Sequence, residues 1–164
     1  IRGVDQVIEM DWWDRHRDGN LEIIPVPIQH WSKRSIFSRN KTLWAGWVIR
    51  ADAFRFIFVG DTGYAPQFKE IGEKLGPFDL AAIPIGAYEP RWFMSKHHVN
   101  PAESVQIHKD IGSKKSVAIH WGTFILTDEP LDEPPKKLDA ALQENQIPAE
   151  EFLVLQHGQT IILD

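Results

Sequence analysis

The most constraining stretch of this chain is Phe56-Ile57-Phe58-Val59, which runs at once into Gly60-Asp61-Thr62-Gly63-Tyr64. An apolar run of that length closed by glycines reads as a buried strand ending in a tight turn. Asp61 then stands at the carboxyl edge of a strand, where α/β sheets gather ligand and metal groups. The glycines on either side permit backbone geometries and close approaches that a side chain would block. A lone aspartate in this setting serves equally well as a helix cap or a turn former. The chemistry therefore depends on what else converges on it.

The remaining periodicity describes a hairpin-rich sheet followed by alternating strands and helices. Strands are predicted at Arg2–Met10, entering at an edge, at Leu21–Ile28, and at Thr42–Arg50, where Leu43, Ala45, Trp47 and Ile49 share one phase. Pro25 and Pro27 argue that their strand lies at a sheet edge, because neither can donate to a ladder. Ala51-Asp52-Ala53 turns the chain into Phe54–Val59, which makes those two strands an antiparallel hairpin. A helix over Pro66–Leu75 is stopped by Gly76-Pro77, and a strand follows at Phe78–Ile85. An irregular aromatic segment fills Ala87 to Asn100. Asn100-Pro101 with Glu103 opens a helix to about Ile111. Ser116–His120 is a strand, Lys136–Asn145 a final helix, and Phe152–Leu155 and Thr160–Leu163 two short closing strands. The fold class is α/β, a mixed sheet with helices on its outer face, in one domain of 164 residues without repeats.

Composition excludes several chemistries. The formal charge of -5 gives no support for a nucleic-acid partner. With no cysteine there is neither a disulfide nor a thiolate metal site, so any metal must be held by imidazole and carboxylate. No apolar run approaches the length of a membrane span. That is compatible with a cytoplasmic or peripheral-membrane location, although the first residue, Ile1, is not a methionine. Seven tryptophans and nine phenylalanines support a large core and an apolar surface alike.

Four positions at strand ends or in loops carry metal-competent groups: His30, Asp61, His98 (with His97 beside it) and His120. If the strand ends share one rim of the sheet, these residues converge despite their separation in sequence. Imidazole nitrogen and carboxylate oxygen both reach zinc at about 2.0–2.2 Å, and the two oxygens of a carboxylate can bridge two metals. His120 stands out because Val117-Ala118-Ile119 leads it from an apolar strand, where a charged ring without a partner is costly. His30 also reads as a cover on the core together with Trp31. His16, His108 and His157 read as surface or hydrogen-bonded rings. Gly60-Asp61-Thr62-Gly63 lacks the lysine of a P-loop. As an aspartic-protease triplet it needs a second copy or a homodimer.

Five stretches carry a resemblance: Pro27-Ile28-Gln29-His30-Trp31-Ser32, Phe58-Val59-Gly60-Asp61-Thr62-Gly63-Tyr64, Ile85 to Met94, His98-Val99-Asn100-Pro101, and Ile119-His120-Trp121-Gly122-Thr123-Phe124. Together they are similar to the N-acyl-phosphatidylethanolamine-hydrolysing phospholipases D, a family of metallo-β-lactamase-fold hydrolases. The resemblance covers nearly the whole chain. It implies the C-terminal half of an αββα sandwich and a centre of two zinc ions. By the same resemblance, His30 is a ligand of one zinc, Asp61 bridges both and takes part in catalysis, and His120 is a ligand of the other. His98 is implied to be a catalytic residue near the scissile phosphate rather than a ligand. Trp31, Tyr88 and the segment Arg91-Trp92-Phe93-Met94 are implied to be supporting walls.

The resemblance further implies a phospholipid substrate met at a membrane surface, with N-acylethanolamine and phosphatidic acid as products. The family's His-x-His-x-Asp-His motif is absent, and three ligands cannot fill two zinc sites that each want about four neighbours. The expectation is therefore a missing N-terminal half, a weakly active isolated chain, and an exposed sheet surface prone to forming a homodimer. A sugar-lactone or cyclic-phosphate hydrolase of the same fold, and an inactive half-domain acting through protein association, are the competing readings.

Overall fold

The computed structural model describes Gly3 and residues 5–163. Among them, seven strands form one sheet in simple chain order: β1 (His16–Asp18), β2 (Leu21–Val26), β3 (Gly46–Ala51), β4 (Phe54–Phe58), β5 (Leu80–Pro84), β6 (Ser116–Ile119) and β7 (Phe152–Leu153). The pairs from β1 to β4 are antiparallel, and those from β4 to β7 are parallel. Parallel neighbours require a crossover, and helices provide each one. α1 (Gln67–Leu75) joins β4 to β5, and the short α2 (Arg91–Met94) and α3 (Pro101–Asp110) join β5 to β6. α4 (Glu133–Glu144) lies between β6 and β7.

The registers sort the side chains onto two unlike faces. Ile24, Val26, Val48 and Ile57 share one face and are fully buried. Phe68, Ile71 and Leu75 of α1, Val105 and Ile107 of α3, and Leu138 of α4 join them in a single core. Each such side chain contributes about 1.5–3 kcal/mol by leaving water. The other face carries Leu21, Trp47, Phe54 and Phe58, which stay 38–43% exposed. Trp47 and Ile49 thus lie on the phase predicted for them, but that phase faces away from the helix-covered core.

Several elements follow directly from local signals. The Ala51↔Phe54 register leaves Asp52-Ala53 as the hairpin turn, with Asp52 in the left-handed region. The Asn100 side chain accepts from the Glu103 N–H, and the Glu103 carboxylate accepts from the Asn100 N–H. This capping box, with Pro101 at the first position, starts α3 where predicted.

Elsewhere the structure departs from expectation. Residues 5–10 form no strand, and Val7 and Ile8 are exposed; Arg2 and Val4 lie outside the described residues. The edge position is instead taken by β1, which the Gly19-Asn20 turn folds directly onto β2. β2 is therefore the second strand and not the edge. Pro25 is accommodated because its carbonyl accepts from the Trp13 N–H at 2.8 Å. The N and C=O of a strand residue point the same way, so its missing donor faces the side where β1 has already ended. β3 begins at Gly46 rather than at Thr42, and 160–163 form no strand. α4 begins three residues before Lys136, because Pro134 and Pro135 occupy a first turn that needs no intrahelical N–H.

Candidate functional site

Two reversals separate β2 from β4, so they run in the same direction, and β5 and β6 follow parallel to β4. The carboxyl ends of these four strands form one rim. His30 follows the end of β2, Asp61 the end of β4 and His120 the end of β6, whereas His98 comes from the segment between α2 and α3.

Thr62 holds this rim together. It is fully buried, its hydroxyl accepts from the Gln29 N–H at 2.9 Å, and that hydroxyl donates to the Gly63 carbonyl at 2.7 Å. Its carbonyl accepts from the Val99 N–H at 2.8 Å, and Gly63 N–H donates to the Gln29 carbonyl at 2.8 Å. The neighbours of His30 and of His98 are thereby tied to the residue after Asp61. Gly63 must be glycine here, because a Cβ would come within 2.7 Å of the Lys96 backbone.

One ligand atom from each of His30, Asp61 and His98 falls within 4.8 Å of the others. His120 Nε2 stands 3.3 Å from Asp61 Oδ1, and the His98 and His120 rings are 5.4 Å apart. All four sequence-predicted residues are therefore brought to one place. His98 lies as close to His30 and Asp61 as a ligand would, which the expected role near a phosphate did not require. His16, His108 and His157 stand apart, and His108 is buried against the Ser116 hydroxyl at 2.8 Å.

The tautomer of the His30 ring is set by its surroundings. Its Nδ1 lies 2.9 Å from the Trp31 carbonyl, which can only accept, so Nδ1 carries the proton and Nε2 the lone pair. Nε2 is buried and has no hydrogen-bond partner among the described residues. The Trp31 ring stacks on the imidazole at 5.5 Å and fixes its plane. A buried nitrogen left open in this way beside a carboxylate fits a metal ligand, its other nitrogen oriented by a carbonyl. Three imidazoles and a carboxylate without sulfur suit zinc or a similar divalent ion.

The charges agree with that fit. The hydrogen bond from His120 holds the Asp61 carboxyl below its ordinary pKa against the opposing effect of burial, and His98 and His30 add to the lowering. The same bond raises His120. Burial, followed by the neighbouring His120, pushes His98 down to about 4 although Asp61 pulls the other way. A neutral His98 ring at pH 7 offers one lone pair and one N–H.

Two further side chains support the site: Arg91, within the segment that the resemblance implied as a wall, and Glu129. Arg91 donates to the His98 carbonyl at 3.0 Å and pairs with Glu103 at 2.8 Å, so it braces His98 from the backbone side. Glu129 accepts from the N–H groups of Ala87, Tyr88 and Glu89 at 2.6, 3.2 and 3.0 Å. It thereby holds Ala87 in the left-handed region and fixes the loop that carries Gly86. A Cβ on Gly86 would run into the His120 carbonyl oxygen. His120 is itself a non-glycine residue with φ of 57°, a conformation that persists only where its surroundings enforce it. Thr62 had a signal, its place between two glycines beside Asp61. Glu129 had none, being some forty residues away in a proline-rich loop.

Known proteins place the fold and its relatives. Residues 2–121 match the family described as Beta-lactamase superfamily domain. The N-acyl-phosphatidylethanolamine-hydrolyzing phospholipase D 1 of Caenorhabditis elegans is 48% identical over 142 residues, which cover 83% of this chain and 40% of that protein. The mitochondrial N-acyl-phosphatidylethanolamine-hydrolyzing phospholipase D of Saccharomyces cerevisiae is 36% identical over 144 residues, covering 84% of this chain and 31% of its own. The chain thus spans two-fifths or less of the length of these two relatives. Among solved structures, the metallo hydrolase Igni18 of Ignicoccus hospitalis superimposes with a TM-score of 0.68 at 21% identity, over 94% of this chain and 59% of that one. That likeness concerns the fold alone. With most of its length matched and with a mixed sheet of the same kind, this chain belongs to the beta-lactamase superfamily.

Proposed function

We propose that the protein carrying this chain is a metal-dependent hydrolase that cleaves the phosphodiester of N-acyl-phosphatidylethanolamine and releases N-acylethanolamine. The observation that carries this reading is the meeting of His30, Asp61, His98 and His120 at one rim, with His30 Nε2 buried and unpartnered. The two curated relatives named for this reaction supply the substrate class.

In this reading His30, Asp61 and His120 would hold the zinc ions. When bound, the metal supplies Lewis acidity toward a phosphoryl oxygen and a hydroxide nucleophile at neutral pH. The residues of the chain do the rest. Trp31 holds the His30 ring in plane, and Thr62 keeps the His30 and His98 segments in register with Asp61. His98, neutral at pH 7, donates its N–H to a phosphoryl or leaving oxygen. Arg91 fixes where that N–H points by holding the His98 backbone. The further ligands that two zinc ions need come from the remainder of the protein, which also covers the half-exposed outer face of the sheet.

Among the described residues no helix is long and apolar enough to cross a membrane. The surface offered to phospholipid in this reading carries the exposed side chains Trp92, Phe93, Phe124 and Ile125. The test is metal content and hydrolysis in the full-length protein. Asp61→Ala is expected to lose metal and activity together. His98→Ala is expected to keep its metal while turnover falls about 10²–10⁴-fold; metal loss in that variant would move His98 among the ligands. Hydrolysis of a lactone or a cyclic phosphate, with N-acyl-phosphatidylethanolamine left intact, would overturn the substrate assignment.

A further inference from the structure

The segment that follows His30 leaves the rim and returns to it as a closed loop. The Asn40 N–H donates to the Ser32 carbonyl at 2.7 Å, and the Asn40 side-chain carbonyl accepts from the Ser32 N–H at 3.3 Å. The Ser32 hydroxyl donates to the Thr42 carbonyl. Asn40 has φ of 55°, a left-handed geometry that asparagine tolerates better than most residues. This closure brings Arg39 back to Trp31. The guanidinium carbon of Arg39 stands 5.5 Å from the centroid of the Trp31 ring. That ring in turn lies nearly parallel to the His30 imidazole, with centroids 5.5 Å apart and 9° between planes. His97 meets both rings edge-on, at 5.8 Å from His30 and 6.5 Å from Trp31. Trp31 therefore packs between groups of the rim and one cation supplied by the loop.

We infer that Arg39 is a positioning residue, which clamps the Trp31 ring on the His30 imidazole and so fixes where His30 Nε2 points. The sign of its effect separates this role from a purely electrostatic one. A bare positive charge near the rim repels a divalent cation, so its removal tightens metal binding. A guanidinium that holds Trp31 has the opposite consequence, because its removal frees the ring that orients His30. Arg39 is exposed, and a cation over an indole at an exposed position changes an equilibrium constant by about two- to fivefold. The proposal rests on the metal-dependent reading above and deepens it by adding a residue that acts on one of the ligands through Trp31.

Calorimetric titration of zinc into metal-free full-length protein is the first test. Arg39→Ala and Arg39→Met are each expected to weaken zinc binding about two- to fivefold. Arg39→Lys, which keeps a cation over the ring, is expected to stay within about twofold of the parent. In a Trp31→Leu background, which has no aromatic face, Arg39→Ala should add no further loss. Tighter zinc binding in Arg39→Ala, or an equal loss in the Trp31→Leu background, overturns the proposal. A second readout needs no metal. The stacked Trp31 ring shifts the His30 ring protons upfield in the NMR spectrum of the metal-free protein. That shift should shrink in Arg39→Ala and persist in Arg39→Lys, and an unchanged shift in Arg39→Ala overturns the proposal. A parent protein that binds no zinc, with a shift that still shrinks in Arg39→Ala, ends the metal-dependent reading and leaves the clamp on His30 standing.

Discussion

Thr62 and Glu129 are polar residues in places where a lone polar group is expensive, and both are justified by the backbone groups they satisfy. Thr62→Val keeps the shape but strands the Gln29 N–H. An unpaired buried donor costs about 1–3 kcal/mol, so the urea midpoint is expected to fall by a corresponding amount. Metal affinity should fall with it, because the His30 segment loses its tie to Asp61. Calorimetric metal titration checks the second effect, and unchanged affinity would confine Thr62 to stability. For Glu129, burial opposes ionisation, but the Glu89 and Ala87 N–H groups and the Thr127 hydroxyl outweigh it and place its pKa below the ordinary 4.5. A carboxyl lowered by folding adds stability above its unfolded value and loses it as the pH falls through the folded one. Stability should therefore decline on acidification below about pH 4.5, and Glu129→Gln should flatten that part of the profile. Urea unfolding between neutral pH and the acid limit reads the difference.

Single elements act here through their ends more than through their length. α3 is positioned by its capping box, and Glu103 of that box also receives Arg91, which in turn holds the His98 carbonyl. Asn100→Ala is expected to cost about 1 kcal/mol of stability while disturbing His98 little, because Glu103 still engages Arg91. Glu103→Ala removes one half of the capping box, the acceptor of the Asn100 N–H, together with the carboxylate that holds Arg91. Its turnover should fall by more than its stability loss explains, which a comparison of kcat with the unfolding midpoint will show. The same logic governs the rim. β4 and β6 set the heights of Asp61 and His120, yet the turns after β4 and β5, through Gly63 and Gly86, bring the neighbouring segments within contact distance.

On the scale of the molecule, the sheet has one finished face and one open one. Trp47 and Phe58 are cross-strand neighbours on the open face, each about two-fifths exposed. Apolar area of this kind promotes association. The 164-residue chain alone is expected to self-associate in sedimentation velocity, and Trp47→Lys combined with Phe58→Lys should return it to a monomer. Association undiminished in that variant would place the contact elsewhere, with the sheet edges next in line.

The share of this that was legible in the sequence was local. Apolar runs closed by glycine located β4 and β5, and the Asn100-Pro101-Glu103 signature located α3. The strand-end positions of His30, Asp61 and His120 marked them as candidates, because the signals for these features lie within a few residues. Residues 5–10 and 160–163 misled, since apolar spacing suggests a strand but cannot provide a neighbour to pair with. The face of β3 that meets the helices was likewise not legible, since Trp47 and Ile49 share the more apolar phase, yet Val48, on the phase of Arg50, is the residue buried in the core. Only the tertiary structure decided that His98 stands within reach of Asp61, that Thr62 ties three segments together, and that Glu129 holds the loop after β5 beside His120. Those contacts join residues about thirty to forty positions apart, and such pairings arise from packing and backbone hydrogen bonding across the fold, which leave no periodic trace along the chain.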